Sequence, residues 1–377
     1  MIRLLFLTRS LEAGGAEAQL IELIERLDKS RFEVAVVTFY AGVRHWGRIQ
    51  AISGVRLYSL DKKGRWDIVG FFLRLHKVFR EMRPQIVCAY NGANEVTFVL
   101  GKLFRAKTVL SIRSTFWDTG GGDWLHTMMG MLSAYFSYYC SLIVAISETM
   151  RREYVRKGYC EKKITVIPIG FDTNYYAPKR ELGSILRTEW GIAPSQFLIG
   201  HIGRLDPRKD HKTFVRAAAL LSKERGDVCF VYVGGRGTPC YRAYLEVLVS
   251  EAGLQDKFIW AGVQSDMPAV YNALDISAVT SFSEGGPNTL GEAMCCEVPT
   301  VTTDVGDAAS LRGDPRWIVA VGDAEGMAER WRTLLVISSE ARAEIGRASR
   351  QHILSHYTSV QLTRRMEAVF ESLLSEG

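Results

Sequence analysis

Two carboxylates, Glu284 and Glu292, bracket a tight turn in the string Ser281-Phe282-Ser283-Glu284-Gly285-Gly286-Pro287-Asn288-Thr289-Leu290-Gly291-Glu292-Ala293-Met294. The string follows the apolar run Ile276–Thr280 and leads straight into a helical pattern, so amides of the loop and of the helix start converge on one spot suited to an anion. A loop carboxylate there can touch sugar hydroxyls, and one on the first helical turn can accept two hydrogen bonds from a ribose diol. The plainer alternative is a helix start whose two acids complement the dipole. A second cluster, Gly203-Arg204-Leu205-Asp206-Pro207-Arg208-Lys209-Asp210-His211, follows the run Phe197–His201. Across this Pro-stiffened loop Arg204 and Lys209 could meet on one diphosphate, the guanidinium as a fork and the ammonium as a point charge. A solvated surface turn has the same composition. A third loop, Glu12-Ala13-Gly14-Gly15-Ala16-Glu17, lets the backbone approach a ligand ahead of a helix, although it lacks the Gly-x-Gly-x-x-Gly spacing and a plain turn accounts for it equally well.

Strands must carry these loops. Apolar, β-rich runs at Leu4–Thr8, Glu33–Thr38, Ile86–Tyr90, Thr108–Ile112 and Leu142–Ile146 alternate with helix-length segments such as Ala16–Leu27 and Asp67–Glu81. A second series, Phe197–His201, Cys229–Val233, Phe258–Ala261, Ile276–Thr280 and Thr300–Thr303, alternates with helical patterns in the same way. Two Rossmann-like α/β domains are expected, 1–178 and 179–356, with a C-terminal helix at about 357–377 returning to the first. In open parallel sheets ligands sit beyond the carboxyl ends of the strands, where all three loops fall.

With 377 residues, 47% hydrophobic and 23% charged, the chain builds large cores, and disorder or a disulfide-stapled module is disfavoured. Seven cysteines without a Cys-x-x-Cys pair indicate neither a disulfide framework nor a zinc cage, and a reducing compartment fits. The N-terminus reads as a first strand rather than a signal peptide. Residues 124–147 contain no Asp, Glu, Lys or Arg, long enough to span a bilayer, but their serines and the β-branched end Leu142–Ile146 read instead as a helix followed by a strand. The net charge of +6 is uneven. Residues 1–180 hold 27 Lys+Arg against 16 Asp+Glu, or +11, and the remainder is −5. No nucleic-acid signature accompanies the basic half. Its segment RWDIVGFFLRLHKVFREMR, 65–83, mixes basic and apolar residues as an anionic lipid surface requires, or else packs its apolar side on the sheet.

Glu284 and Glu292 with the intervening seven residues, followed by Ala293-Met294 and Val298-Pro299-Thr300-Val301-Thr302-Thr303-Asp304-Val305-Gly306, resemble the signature of retaining nucleotide-sugar glycosyltransferases of glycosyltransferase family 4, which have the GT-B fold. The resemblance runs nearly end to end: Gly14-Gly15-Ala16-Glu17, Val144-Ala145-Ile146-Ser147-Glu148, Ile164–Gly170 with Asp172, Gly203-Arg204 with Lys209, Val233-Gly234-Gly235 and Ala261-Gly262 occur in the family's order. It implies two α/β domains facing each other across a cleft that holds the sugar. It implies that Arg204 and Lys209 bind the donor diphosphate, that Glu292 holds the ribose, that Glu284 with amides of Gly286, Asn288, Thr289 and Leu290 grips the transferred sugar, and that Val263 meets the base. Gly14, Gly15, Gly203 and Gly234 would let backbone approach the donor. Glu17, Asn91, Arg113 and Ser114 would face the acceptor. Retention by front-face displacement, with the leaving phosphate assisting deprotonation of the acceptor, requires no protein nucleophile, although a covalent carboxylate route remains open. No Asp-x-Asp occurs, so no metal or other cofactor is expected.

The pattern departs from the family at Ser111-Ile112-Arg113-Ser114, where a His is common; Arg113 there points to an acceptor bearing phosphate, or to pairing with Asp118 or Asp123. Ile169 stands in place of Asn, and Glu297 in place of Gly. Cys295 and Cys296 read as packing residues, and His126, His201 and His211 as structural histidines. The resulting expectation is an enzyme passing a hexose or N-acetylhexosamine from a UDP-sugar donor to a lipid-linked or glycan acceptor at the inner, cytoplasmic face of the cell membrane, with an anionic membrane surface as a partner and no nucleic acid. A nucleotide-sugar epimerase of the same fold and a non-catalytic nucleotide-binding protein are the alternatives.

Overall fold

The computed structural model describes all residues except Ala13, 42–44, Arg65, 91–92, 114–123, Arg236 and 376–377, and, in addition, not the side chains of 124–127. The chain forms two compact units: Met1–Gly170 with Ser359–Gly377, and Phe171–Thr358. In the first, β1 (Ile2–Thr8), α1 (Gly15–Arg26), β2 (Phe32–Thr38), α2 (Trp46–Gln50), β3 (Val55–Ser59), α3 (Val69–Met82), β4 (Ile86–Tyr90), α4 (Asn94–Leu103), β5 (Lys107–Ile112), α5 (Trp124–Ser137), β6 (Leu142–Ala145), α6 (Glu148–Arg156) and β7 (Ile164–Val166) follow one another. The second contains α7 (Arg180–Glu189), β8 (Phe197–Ile202), α8 (His211–Glu224), β9 (Val228–Val233), α9 (Pro239–Glu251), β10 (Phe258–Gly262), α10 (Met267–Ala273), β11 (Ile276–Val279), α11 (Asn288–Cys295), β12 (Thr300–Thr303), α12 (Ala308–Arg312), β13 (Ile318–Val319), α13 (Ala324–Val336) and α14 (Ser339–His356). The last helix, α15 (Ser359–Ser375), belongs to the first unit.

Each unit holds one parallel sheet, ordered β3-β2-β1-β4-β5-β6-β7 and β10-β9-β8-β11-β12-β13. Parallel strands covered on both faces are apolar throughout rather than alternating. Leu4–Leu7, Val34–Val37 and Val228–Val233 accordingly lie wholly within their cores. The residues 124–147 form α5 and β6, as the uncharged pattern predicts, and no helix among the described residues is long and apolar enough to cross a membrane. The short strands β3, β7 and β13 have no counterpart among the runs read from sequence. The last two span three and two residues, too few for any period to register.

The division falls at 170/171 rather than 178/179. Phe171 is buried against Gly291, its amide donates to Tyr357 O at 2.8 Å, and Tyr176 packs on Tyr271, so residues 171–178 belong to the second core. The change of charge near residue 180 marks composition and not the seam. On the other side of it, buried Gln19 holds both main-chain groups of Gly170, donating to its carbonyl at 2.7 Å and accepting from its amide at 3.2 Å. The returning α15 completes the first core by placing Phe370 edge-on to Phe6 and Phe32. Phe370→Ala should therefore cost about 3–5 kcal/mol, read as a shift of the urea unfolding midpoint. Val360→Ala on the exposed side of the same helix should change it by under about 0.5 kcal/mol.

Candidate functional site

In the second sheet, β8 and β11 are neighbours, yet the chain leaves β8 toward β9 and β10 and only then returns to β11. Strand order reverses between them, and the loops after them diverge to leave a crevice at their carboxyl ends. Gly203–Lys209 and Ser281–Glu284 are those two loops.

The structure joins them by an ion pair. Lys209 Nζ binds Glu284 Oε1, which also accepts from Ser281 Oγ at 2.7 Å. Lys209 ends a single 3-10 turn whose start is capped by Asp206, and its carbonyl accepts from Thr280 Oγ1 at 2.9 Å and faces His201 Nε2 at 3.3 Å. Arg204, more than half exposed, meets Asp206 Oδ2 at 3.4 Å. Asp206 also takes the fork of Arg208, and hydrogen bonding to Arg208 holds its carboxyl down at about 2. The two cations expected to share a diphosphate are thus each engaged by a carboxylate of their own.

Glycine is a steric requirement at two positions of this site. A Cβ on Gly234, at φ +150°, would lie 1.7 Å from Gly203 O, the carbonyl that also accepts from Tyr232 OH at 2.8 Å. A Cβ on Gly306, at φ +57°, would lie 2.3 Å from Glu284 O. The loop after β12 therefore buttresses the loop after β11. Val263, at the end of β10, is exposed.

Pro287 stands at the start of α11, with Gly286 and Asn288 half-buried and Leu290 fully buried beneath the turn. Asn288 Oδ1 is buried without a hydrogen-bond partner among the described residues. On the following turn Glu292 accepts from Tyr271 OH at 2.5 Å and from Tyr176 OH. Burial, and then the adjacent carboxylate, pushes both phenols well above the usual tyrosine range. Tyr176, Tyr271, Thr280 and Ser281 were not singled out in sequence. Nothing in an isolated Tyr signals that the fold will aim it at a carboxylate twenty residues or more away, whereas Thr280, which donates to the carbonyls of Lys209 and Asp210, and Ser281 are marked only by their position at the end of a strand.

The first unit gathers a smaller group. Gly14 precedes α1, and Glu17 in its first turn leans back over Gly14. Glu17 and Arg113 both act on the buried Tyr90, whose ring lies 4.1 Å from the guanidinium carbon, and Arg113 Nε donates to Ser111 Oγ at 2.9 Å. Gly15 opens α1. Asn91, Ser114, Asp118 and Asp123 lie outside the described residues.

Beneath the second-unit loops the buried His201 and His211 face each other at 4.8 Å, ringed by Phe214, Tyr232 and Tyr241. Desolvation lowers both, with the Lys209 charge acting in the same direction, and His211 falls to about 4. Cys295 and Cys296 are buried in packing.

Residues 13–175 match the family described as Glycosyltransferase Family 4, and residues 196–336 match Glycosyl transferases group 1. The lipopolysaccharide core biosynthesis mannosyltransferase LpsB of Rhizobium meliloti is 29% identical over 230 residues, which take in 58% of this chain and 63% of that protein. The N-acetyl-alpha-D-glucosaminyl L-malate synthase of Bacillus anthracis is 24% identical over 295 residues, 78% of this chain and 73% of that one. Among solved structures, Anabaena Alr3699/HepE in complex with UDP and glucose superposes with a TM-score of 0.86 at 22% identity, over 99% of this chain and all of that one.

Two outcomes follow from the packing. Because His201 and His211 are neutral in the fold, the unfolded chain, titrating near 6.5, takes up protons first as pH falls. Stability present above pH 6.5 is then lost down to about pH 4. His211→Phe should shrink that loss by up to about 3 kcal/mol, measured by denaturant titration at several pH values. Gly306→Ala should cost about 1–3 kcal/mol on the same assay, since neither the backbone angle nor Glu284 O admits a methyl group.

Proposed function

The chain is a hexosyltransferase of the glycosyltransferase family 4 type with the GT-B fold, and from that premise we propose that it moves a hexose or N-acetylhexosamine from a UDP-sugar to a lipid-linked or glycan acceptor. We assign the step to polysaccharide or lipopolysaccharide assembly at the inner face of the cell membrane, with retention and without a divalent metal. The observation that carries the reading is the Lys209–Glu284 pair across the crevice between the loops after β8 and β11. Support for the donor comes from the UDP and glucose held by the Anabaena protein, and support for the product class from the name of the Rhizobium relative.

In this reading the bond from the sugar's anomeric carbon to the β-phosphate oxygen breaks as the acceptor oxygen bonds to that carbon on the same face, and the acceptor proton passes to the leaving phosphate. Negative charge grows on the diphosphate, and Lys209 and Arg204, with amides of Gly203 and Gly234 and of the α11 start, stabilise it where it appears. Arg204 needs only to swing from Asp206, because most of its side chain is already in solvent. Glu284, fixed by Ser281 and Lys209, accepts hydroxyls of the sugar with Gly286, Asn288, Thr289 and Leu290 beside it. Glu292, oriented by the phenols of Tyr271 and Tyr176, accepts the ribose diol. Val263 presents backbone to the base. In the first unit Gly14 and Gly15 are assigned to the donor's phosphates. Glu17 and Arg113 are assigned to the acceptor, the guanidinium reading an acceptor phosphate. Buried Arg113 Nη2 has no partner among the described residues, which supports that last assignment.

Screening UDP- and GDP-sugars by thermal shift and by release of the nucleoside diphosphate tests the reading. A UDP-sugar should raise the melting temperature and turn over with excess chelator present. Lys209→Ala should lower turnover by about 10²–10³ while circular dichroism stays unchanged, and Glu292→Gln should raise the donor KM. Turnover that collapses on chelation would overturn the metal-free route, and equal turnover in Lys209→Ala would remove the proposed site.

A further inference from the structure

The helix α5 is built inside out. Its inward side carries small or polar residues, Ser133, Ala134 and Ser137, all buried, and Ser137 Oγ is spent on Ala134 O and on the amide of Cys160. Its outward side carries Met128, Met131, Leu132 and Tyr135, with Tyr138 and Tyr139 just beyond the last turn, and Met131 and Tyr135 keep 68% and 58% of their surface exposed. A helix facing water places its residues the other way round.

The neighbouring helices extend the same surface. Phe98 of α4 stacks on Phe136 of α5 at 4.2 Å and approaches Tyr139, and α4 turns Val99 and Leu103 outward. Phe104, at the end of α4, lies 5.0 Å from both His76 and Phe79 of α3, and that helix with its approach exposes Trp66, Ile68, Val69 and Leu73. Of the 23 exposed large apolar side chains among the described residues, 12 lie on this one layer. The segment 65–83, read in sequence as suited either to an anionic lipid surface or to packing its apolar side on the sheet, is only its margin. The α3 helix buries Phe71, Leu75, Val78, Phe79 and Met82 on the sheet, and the centre of the exposed surface is α5.

Cations exceed carboxylates on the layer once the Asp67–Arg74 pair is removed. Asp67 is held by Arg74, Glu81 accepts from Tyr58, and Glu95 is half-buried beside Ser133. Lys77, Arg80, Lys102 and Arg105 stay exposed with no carboxylate bonded to them among the described residues. We propose that the α3–α4–α5 face docks on an anionic lipid bilayer, with the tyrosines and methionines of α5 seated at the headgroup boundary and the four cations on lipid phosphates. Amphipathic aromatic rings belong at such an interface, and cations beside them add attraction to acidic lipids. A second copy of the chain is the poorer occupant, because a two-fold contact sets the four cations against themselves. The inference rests on the membrane-facing part of the proposed function and names the surface that performs it.

Sedimentation with vesicles tests it, using phosphatidylcholine alone and with about 30% phosphatidylglycerol. The native protein should bind the anionic vesicles and release partly at high salt. The triple variant Met131→Ser, Leu132→Ser, Tyr135→Ser, changed only at exposed positions, should lose about tenfold or more of that binding. Lys102→Gln with Arg105→Gln should weaken it and flatten its salt dependence. Donor-induced thermal shift should be the same in all of these, so a failed donor screen with intact vesicle binding counts against the enzymatic reading and not against this face. Absence of native binding to anionic vesicles, or undiminished binding by the triple variant, would overturn the proposal. So would a native dimer that the triple variant converts to monomer, since the face would then belong to a second copy.

Discussion

The joining of the loops after β8 and β11, with the Lys209–Glu284 pair as its charged contact, is the constraint on which the geometry of the candidate site depends. Sheet hydrogen bonding fixes β8 beside β11 but not the distance between the loops that leave them. That distance is held by the amide of Phe282 donating to Arg208 O at 3.0 Å, by Thr280 Oγ1 donating to Lys209 O at 2.9 Å, and by one ammonium and one carboxylate whose side chains are 18% and 11% exposed. Desolvating two charges is unfavourable unless their remaining hydrogen-bonding positions are filled. Here Ser281 Oγ serves the carboxylate of Glu284, while Thr280 and His201 hold Lys209 by its main-chain carbonyl and leave its ammonium to the pair. What the pair contributes is position, since an ammonium already extended and stripped of part of its water loses little freedom when an anion arrives.

The second carboxylate is held by a different device. Two buried phenols orient Glu292, and one of them, Tyr176, comes from the segment just after the seam between the units. Arg350 of α14 ties the same region together by donating to the carbonyls of Thr173, Tyr176 and Cys295, so the start of the second unit, the helix α11 and α14 share one guanidinium. Phe171 beneath Gly291 closes the arrangement from the sheet side. The residues 171–178 are therefore a wall of the site and not a linker leading to it.

The strands and the loops that carry charge were legible in sequence because parallel strands write themselves as uninterrupted apolar runs and because Gly, Pro and paired acids punctuate strand ends. Ile86–Tyr90 and Thr300–Thr303 match to the residue. The seam was displaced because composition changes near 180 whereas packing changes at Phe171. The partners of the charged residues were not legible. That Lys209 meets Glu284, or that Tyr271 meets Glu292, depends on which rotamers the fold leaves open, and pairing between residues 75 and 21 positions apart leaves no local pattern. Gly306 illustrates the middle case. Its place in the string Asp304-Val305-Gly306 was visible, but its reason, the carbonyl of Glu284 lying where a methyl group would be, is a property of two loops.

The same distinction explains the surface of the first unit. Helical period tells which residues share a face, and on α5 it separates Ser133, Ala134 and Ser137 from Met131, Leu132 and Tyr135 without ambiguity. It does not tell which face meets the sheet. The ordinary rule assigns the large apolar face inward, and on that rule α5 would read as a core helix. Small residues inward let α5 lie close to α4, whose Phe98 takes the aromatic contact from the side, so packing is satisfied without the large residues. The methionine and tyrosine face is then surplus to the fold. Beside it lies part of the excess positive charge of the first 180 residues: Lys77, Arg80 and Lys102 stand on the neighbouring helices and Arg105 just after one of them, where their charge acts on whatever meets α5.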